Sequence, residues 1–510
     1  MKRAEFGDFQ TPMVLATKVC SVLKSLGVCP SSIAEPTCGK GNFLLAALDA
    51  FPKAERVIGA DISSEYIESA RARIAERPRP QRVDLHCGSF FTAVWPQLFA
   101  DLTAPILVIG NPPWVTNSHL GALGSNNLPV KSNFQKHSGF DAVTGKSNFD
   151  ISEWMLIHLL KWLQGRHAVL AMLCKTAVAR KVLLHAWKNE MSVQDCSLHL
   201  LDAFEYFGAA VDACLLVCRT GREPTSYDCR VFNFLGSVTA SHMFGYRNNQ
   251  LVANVDAYDA WKHLQGAERY KWRSGIKHDC SGVMELRRVG TLYENGLGKR
   301  VQLEPDYLYP MLKSSALAKG NVADTKRYML VPQIATGEDT SFIERRAPLT
   351  WAYLQEYGAL LDQRGSSIYK KRPRFSIFGV GSYSFAPWKV AISGFYKTLR
   401  FCVVGPIGGR PTVLDDTSNF ISCQTKEEAV CMAKLLNSRA AAEFFKAFIF
   451  WDAKRPLTVD LLKRIDLLRV AEASGILSEA EKFLKPVAVD VKGKRHKHLE
   501  QEPLFPPTFV

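Results

Sequence analysis

Short apolar runs alternate with helix-periodic stretches through the first 220 residues. Val19, Val22, Leu23 and Leu26 recur at helical spacing, and Pro12 sits ahead at a first-turn position, so Thr17 to Leu26 predicts an opening helix. Ser32-Ile33-Ala34 reads as a short buried strand that runs into Glu35-Pro36-Thr37-Cys38-Gly39-Lys40-Gly41-Asn42, and Phe43 to Leu48 reads as the helix after that turn. Further strands are predicted at Arg56 to Ala60, closed by Asp61, at Val83 to Cys87, and at Pro105 to Gly110. Strand, turn and helix in this rhythm predict an α/β fold with a doubly wound sheet. After Arg219-Thr220-Gly221-Arg222 the pattern changes to short mixed segments, which predict an α+β domain. The expected division is residues 1–222, residues 223–485 and a basic, flexible tail over 486–510, carrying Lys492 to His498.

Composition adds a partner. The 510 residues are 47% hydrophobic and 22% charged, which fits globular domains and excludes general disorder. The net charge of +15 calls for an acidic partner. Residues 1–223 hold 23 Lys+Arg against 20 Asp+Glu, and the remainder hold 41 against 29, so the excess lies in the second part. A near-neutral domain followed by a basic one suits small-molecule binding joined to a grip on nucleic acid. The 13 cysteines include no CxxC pair and argue against a disulfide framework or a zinc cage, so no metal is expected and a reducing cytoplasm is. Cys214 and Cys218 lie in the apolar run Ala213 to Cys218, where buried strand cysteines are expected. No stretch reaches the roughly 18 apolar residues of a membrane span, so no membrane partner is expected.

Candidate chemistry begins at the glycine turn. Gly39 and Gly41 let backbone approach a ligand, and Asp61, about twenty residues on at the end of the second strand, can accept both hydroxyls of a ribose. A third glycine is missing, which disfavours a pyrophosphate. Glu35 at the tip of the first strand would repel a phosphate and attract the sulfonium-bearing amino-acid end of S-adenosylmethionine. Pro36 and Ile62 flank these two acids and complete that group of cofactor contacts. After the third strand Phe90 can cover an adenine face, although core packing accounts for it equally well, and His86 reads as a structural strand-end histidine.

The fourth strand delivers Asn111-Pro112-Pro113-Trp114 at its carboxyl end, where doubly wound sheets place ligands. An exocyclic amine conjugated to an aromatic ring is a poor nucleophile because its lone pair is delocalised. A site must therefore accept its hydrogens and draw the nitrogen toward tetrahedral geometry. Asn111 offers a side-chain carbonyl and Pro112 a main-chain one, while proline stiffens the turn and brings no competing N–H. Trp114 offers a π face for an extruded base.

At these residues the chain resembles the adenine-specific (N6) DNA methyltransferases of bacterial restriction-modification systems, in the subgroup whose cofactor motif precedes the catalytic motif and whose target-recognition domain comes last. Phe9-Gln10-Thr11-Pro12 looks like that family's N-terminal cofactor-contacting segment, Glu35 to Phe43 its glycine motif, Asp61 its ribose-binding acid, and Asn111 to Trp114 its catalytic motif. Lys146-Ser147-Asn148-Phe149-Asp150 is similar to the next motif. Phe207-Gly208-Ala209-Ala210-Val211 is similar to the loop whose aromatic packs on the flipped adenine, whereas the residues alone allow Phe207 to be core. The chain departs from the family at Ser89, where an acidic residue usually contacts the cofactor adenine.

The resemblance implies a Rossmann-like S-adenosylmethionine methyltransferase domain followed by a DNA-recognition domain. The basic strip Lys370, Lys371, Arg372 and Arg374, with Phe375 to Gly381 continuing as strand and turn, and Lys454 and Arg455 after Trp451, look like parts of that domain, with double-stranded DNA as partner. The implied activity is methylation of adenine N6 without cleavage, since the cofactor segment begins near Phe9. The implied setting is a bacterial or phage-encoded cytoplasmic protein acting beside a separate cognate endonuclease or defence-system subunits. Two alternatives stand beside this: an RNA or protein glutamine amino-methyltransferase, and an inactive DNA-binding subunit of a defence complex.

Overall fold

The computed structural model describes residues 10–76, 81–91, 95–115 and 150–484. Phe9, Lys146 to Phe149 and the basic run from Lys492 lie outside them. The chain divides into two compact units, one running to Lys262 and taking in Glu443–Pro456, the other comprising His263–Ala442 and the chain from Leu457.

The first unit carries a ten-stranded sheet. Its early elements are α1 (Met13–Ser25), β1 (Ser32–Glu35), α2 (Asn42–Ala50), β2 (Arg56–Asp61), α3 (Ser64–Ala75), β3 (Arg82–Cys87), α4 (Trp95–Ala100) and β4 (Ile106–Gly110). Then come β5 (Ala168–Lys175), β6 (Gln194–Asp202), β7 (Asp212–Thr220), β8 (Asp228–Phe232), β9 (His242–Arg247) and β10 (Gln250–Val252). The strand order is β10-β9-β8-β6-β7-β5-β4-β1-β2-β3. β1 pairs in parallel with both β2 and β4, so the winding direction reverses between β1 and β4, the point beyond whose carboxyl ends doubly wound sheets place their ligands. This is the expected doubly wound, Rossmann-like sheet. β7 enters antiparallel between β5 and β6, and β8 to β10 extend the sheet past residue 222 within the same unit.

Burial explains the central strands. Every residue of β1 and β4 is buried, as expected for parallel strands covered on both faces. One core lies under α1 and α2 with Leu15, Val19, Phe43, Leu44 and Leu107. The other gathers Trp95, Phe99, Val108, Met155 and Leu170 on the opposite face. Truncating a leucine such as Leu44, 0% exposed, to alanine would cost about 2–5 kcal/mol. Pro12 caps α1, and Gly27, at φ +72°, ends it in a left-handed turn that returns the Val28 N–H to the Leu23 carbonyl.

The second unit is α+β. A six-stranded sheet has β11 (Arg273–Ser274) outside it and contains β12 (Glu285–Val289), β13 (Leu292–Asn295), β14 (Arg300–Val301), β15 (Leu308–Leu312), β16 (Arg327–Leu330) and, further on, β19 (Val413–Leu414). β11 joins β17 (Trp388–Ser393), β18 (Cys402–Val404) and β20 (Ser418–Cys423) in a four-stranded antiparallel sheet. The expected strand over Phe375 to Gly381 is not formed. Lys371 and Phe375 both sit at positive φ, which breaks an extended run, and only an isolated bridge from Phe378 to Lys277 remains. Phe375 and Ile377 instead plug the core of this unit.

Candidate active site

The carboxyl ends of β1, β2 and β4 bring three predicted residues to one end of the sheet. Glu35 closes β1, Asp61 closes β2, and Asn111 follows β4. Glycines shape the turn that follows β1, with Gly39 and Gly41 at φ +51° and +79°, where the left-handed backbone favours a residue without a Cβ. Asp61 holds the turn in shape, accepting from the Gly39 N–H at 2.8 Å and the Ser63 N–H at 2.9 Å. The segment before α1 folds over the same turn, with Lys40 N–H donating to Gln10 Oε1 at 3.1 Å and Asn42 Nδ2 to the Thr11 carbonyl at 2.7 Å. Arg73 closes the far side by donating to the Lys40 carbonyl and to Asn42 Oδ1. Gln10 and Asn42 lie within the segments that the resemblance singled out, whereas Arg73 carried no sequence signal, because its role depends on packing between distant segments.

Glu35 is the electrostatic centre. It is 2% exposed, and its Oε2 has no hydrogen-bond partner among the described residues. Burial pushes its carboxyl well above the usual carboxylate range, the Leu44 N–H opposes that, and the nearby charge of Asp61 adds to it. A buried carboxyl with an open acceptor oxygen is suited to a cationic ligand group, so these residues fit the amino-acid end of S-adenosylmethionine.

Asn111, Pro112, Pro113 and Trp114 leave β4 in an extended turn. It is tied at one end by Thr37 Oγ1 donating to the Asn111 carbonyl at 3.4 Å, which joins it to the glycine turn. At the other end Trp114 Nε1 donates to the Leu173 carbonyl at 3.4 Å. Trp114 is 5% exposed, and the ring of Phe207 meets it edge to face at 5.2 Å. The two predicted stacking aromatics are thus brought together, but their rings must part by the thickness of a base before one could lie between them. Phe207 ends the short helix Ala203–Phe207, which is capped by Asp202 and closed by Gly208 in the left-handed region.

Other predicted residues are placed as follows. Thr11 and Pro36 are buried beside the glycine turn, and Ile62 is 55% exposed next to Asp61. Ser89 Oγ accepts from the Phe91 N–H at 3.1 Å. Phe90 is packed inside the core between Trp95, Trp154 and Trp162, so core packing is what the structure gives it. Lys370, Lys371, Arg372 and Arg374 are exposed on the second unit, where Arg374 is paired with Asp362 at 2.9 Å. Lys454 and Arg455 are exposed but belong to the returning segment of the first unit, where Asp452 pairs with Arg180 at 2.7 Å. Among the described residues no cluster of three or more His, Cys, Asp or Glu is arranged to hold a metal, and no helix is long and apolar enough to cross a membrane.

No family model matches the chain. The type II methyltransferase M.NspV of Nostoc sp. (strain ATCC 29411 / PCC 7524) is 45% identical over 469 residues, covering 91% of this chain and 97% of that one. The chain belongs to the type II DNA methyltransferases of restriction-modification systems. The methyl donor of this methyltransferase is S-adenosylmethionine. The Type IIL restriction-modification enzyme MmeI, solved in complex with DNA, shares the fold at a TM-score of 0.52 and 12% identity, over 90% of this chain and 65% of that one.

Proposed function

We propose that this methyltransferase transfers a methyl group to the N6 amino group of an adenine flipped out of duplex DNA, as the modification component of a restriction-modification or related defence system. The observation that carries the reading is the convergence of Glu35, Asp61 and the acceptor turn Asn111-Pro112 at the reversal point of one sheet. S-adenosylmethionine supplies an electrophilic methyl on its sulfonium. Glu35 would hold the cationic amino-acid end, Asp61 the ribose hydroxyls, and the exposed side chain of Ile62 an adenine face. The Asn111 amide oxygen and the Pro112 carbonyl would each accept a hydrogen of the target amine. That draws its lone pair out of the ring and aims it at the methyl, so the work is positioning and acceptor placement. Trp114 and Phe207 would hold the extruded base once their rings part. The exposed Lys370, Lys371 and Arg372 of the second unit would meet phosphates.

The test is incubation with labelled S-adenosylmethionine and unmethylated duplex DNA, RNA or a protein extract, followed by nucleoside analysis. N6-methyladenine in duplex DNA is the expected product. Label on cytosine, or only in RNA or protein, would overturn the adenine assignment.

A further inference from the structure

We infer that Lys175 is a positioning residue of the reaction centre, its ammonium clamping the Trp114 end of the acceptor turn to Asp150. The inference rests on the reading of Asn111 to Trp114 as the reaction centre.

The register of the sheet puts Lys175 there. β5 lies parallel to β4 with Met172 opposite Gly110, so its last residue lies level with the turn beyond β4. The seven residues before Lys175 are all buried, and the strand turns polar only at this point. Its side chain is 26% exposed, and its Nζ lies 2.9 Å from the Trp114 carbonyl and 2.7 Å from Asp150 Oδ2.

Asp150 is itself fixed. Its Oδ1 accepts from the Ser152 N–H at 3.1 Å and from the Ser152 hydroxyl, capping the helix Ile151–Trp162, which leaves Oδ2 for Lys175. A carboxylate at a helix N-terminus is favoured by the helix dipole, so the cap stabilises Asp150 in this position. The Ile151 N–H also donates to the Val115 carbonyl at 2.9 Å. One ammonium therefore joins the chain leaving the acceptor turn to the chain re-entering at Asp150, 35 residues beyond Val115. With Thr37 on the Asn111 carbonyl, the turn is held at both ends, and the acceptors of Asn111 and Pro112 lie between the two ties.

A cation with two partners also has a plain stabilising effect, because removing it leaves the Asp150 carboxylate, 8% exposed at the side chain, without its counter-charge. The test separates the two roles. Lys175→Met, Lys175→Arg and the double variant Asp150→Asn/Lys175→Met are compared with the parent protein for thermal midpoint, S-adenosylmethionine Kd, and kcat at saturating cofactor and duplex DNA. Turnover is scored as label in DNA on whichever base receives it. A product other than N6-methyladenine then overturns the adenine assignment alone and leaves the comparison of variants intact.

Lys175→Met is expected to lose about 100-fold in kcat, the scale of a small misplacement of reacting groups, with Kd for the cofactor within about twofold. Lys175→Arg should recover part of that loss. The double variant, which leaves no unpaired buried charge, should recover the thermal midpoint but not the turnover. Should Lys175→Met fail to fold, the double variant carries the comparison. Parental kcat in Lys175→Met, or joint recovery of midpoint and kcat in the double variant, would overturn the inference.

Discussion

Glu35→Gln isolates the charge at the tip of β1 while keeping the shape of the side chain. The carboxyl is 2% exposed, has an open oxygen, and is held above the usual carboxylate range chiefly by burial. A hydrogen bond to a charged group is worth about 1.5–3 kcal/mol, so losing the charge should raise Kd for S-adenosylmethionine by about 10- to 150-fold. The pH dependence gives a second, independent readout. A cationic ligand group favours the carboxylate, so binding to the parent protein must displace the proton that burial retains. Affinity should therefore rise with pH, up to tenfold per unit, until the raised pKa of the free protein is passed, and then level off. The ligand-free protein should show the opposite trend. Between the ordinary glutamate pKa and the raised value the folded state holds a proton that the unfolded chain has released, so stability falls as pH rises through that window. Each unit of elevation is worth about 1.4 kcal/mol, and the neutral amide should not show the fall. Calorimetric titration across pH 5.5 to 8.5, with thermal melts of the ligand-free proteins, measures both. Equal Kd for parent and variant, or the same pH slope in both, would refute the assignment of Glu35 to the cofactor.

Asn111→Ala should keep cofactor Kd within about threefold and lower kcat by about 100- to 1,000-fold, because an acceptor used mainly in the transition state is removed; single-turnover kinetics checks this. Phe207→Ala should weaken retention of a flipped base by about 1–3 kcal/mol, read as reduced fluorescence of 2-aminopurine placed at the target position, with cofactor binding unchanged. Replacing Lys370, Lys371 and Arg372 together by Gln should lower the slope of log K for DNA against log salt by roughly 2.7 if all three meet phosphates. Arg374→Gln should add less, since Asp362 already engages it; an unchanged slope in the triple variant removes the strip from the DNA contacts.

β1, β2 and β4 were legible because parallel strands covered on both faces leave unbroken apolar runs, β3, at the sheet edge, because Val83, Leu85 and Cys87 alternate with polar residues, and the turn because Gly39 and Gly41 need left-handed backbone. Glu35 and Asp61 were legible as acids at strand ends, although the open Oε2 of Glu35 appears only once Leu44 and Gly110 are packed around it. The reversal of β7 and the addition of β8 to β10 were not legible, since an antiparallel and a parallel buried strand carry the same apolar pattern. Phe375 to Gly381 reads as a strand by composition, but the backbone at Lys371 and Phe375 turns the apolar side chains inward without extension. Lys175 reads as an ordinary polar strand end. Its two partners lie 61 and 25 residues away and become neighbours only in the assembled sheet.

The return of Glu443–Pro456 to the first unit bears on how the second unit can be exchanged by recombination. The Asp452 carboxylate pairs with Arg180, and the Phe450 ring lies under the same guanidinium at 4.5 Å. A single crossover after residue 262 would import a foreign segment against the helix Thr176–Lys188 and separate Arg180 from the partners it was selected with. A graft with junctions near 262, 442 and 456 keeps that contact native while exchanging the second unit. Chimeras of this protein should therefore tolerate a cassette that leaves residues 443–456 in place better than a simple tail swap.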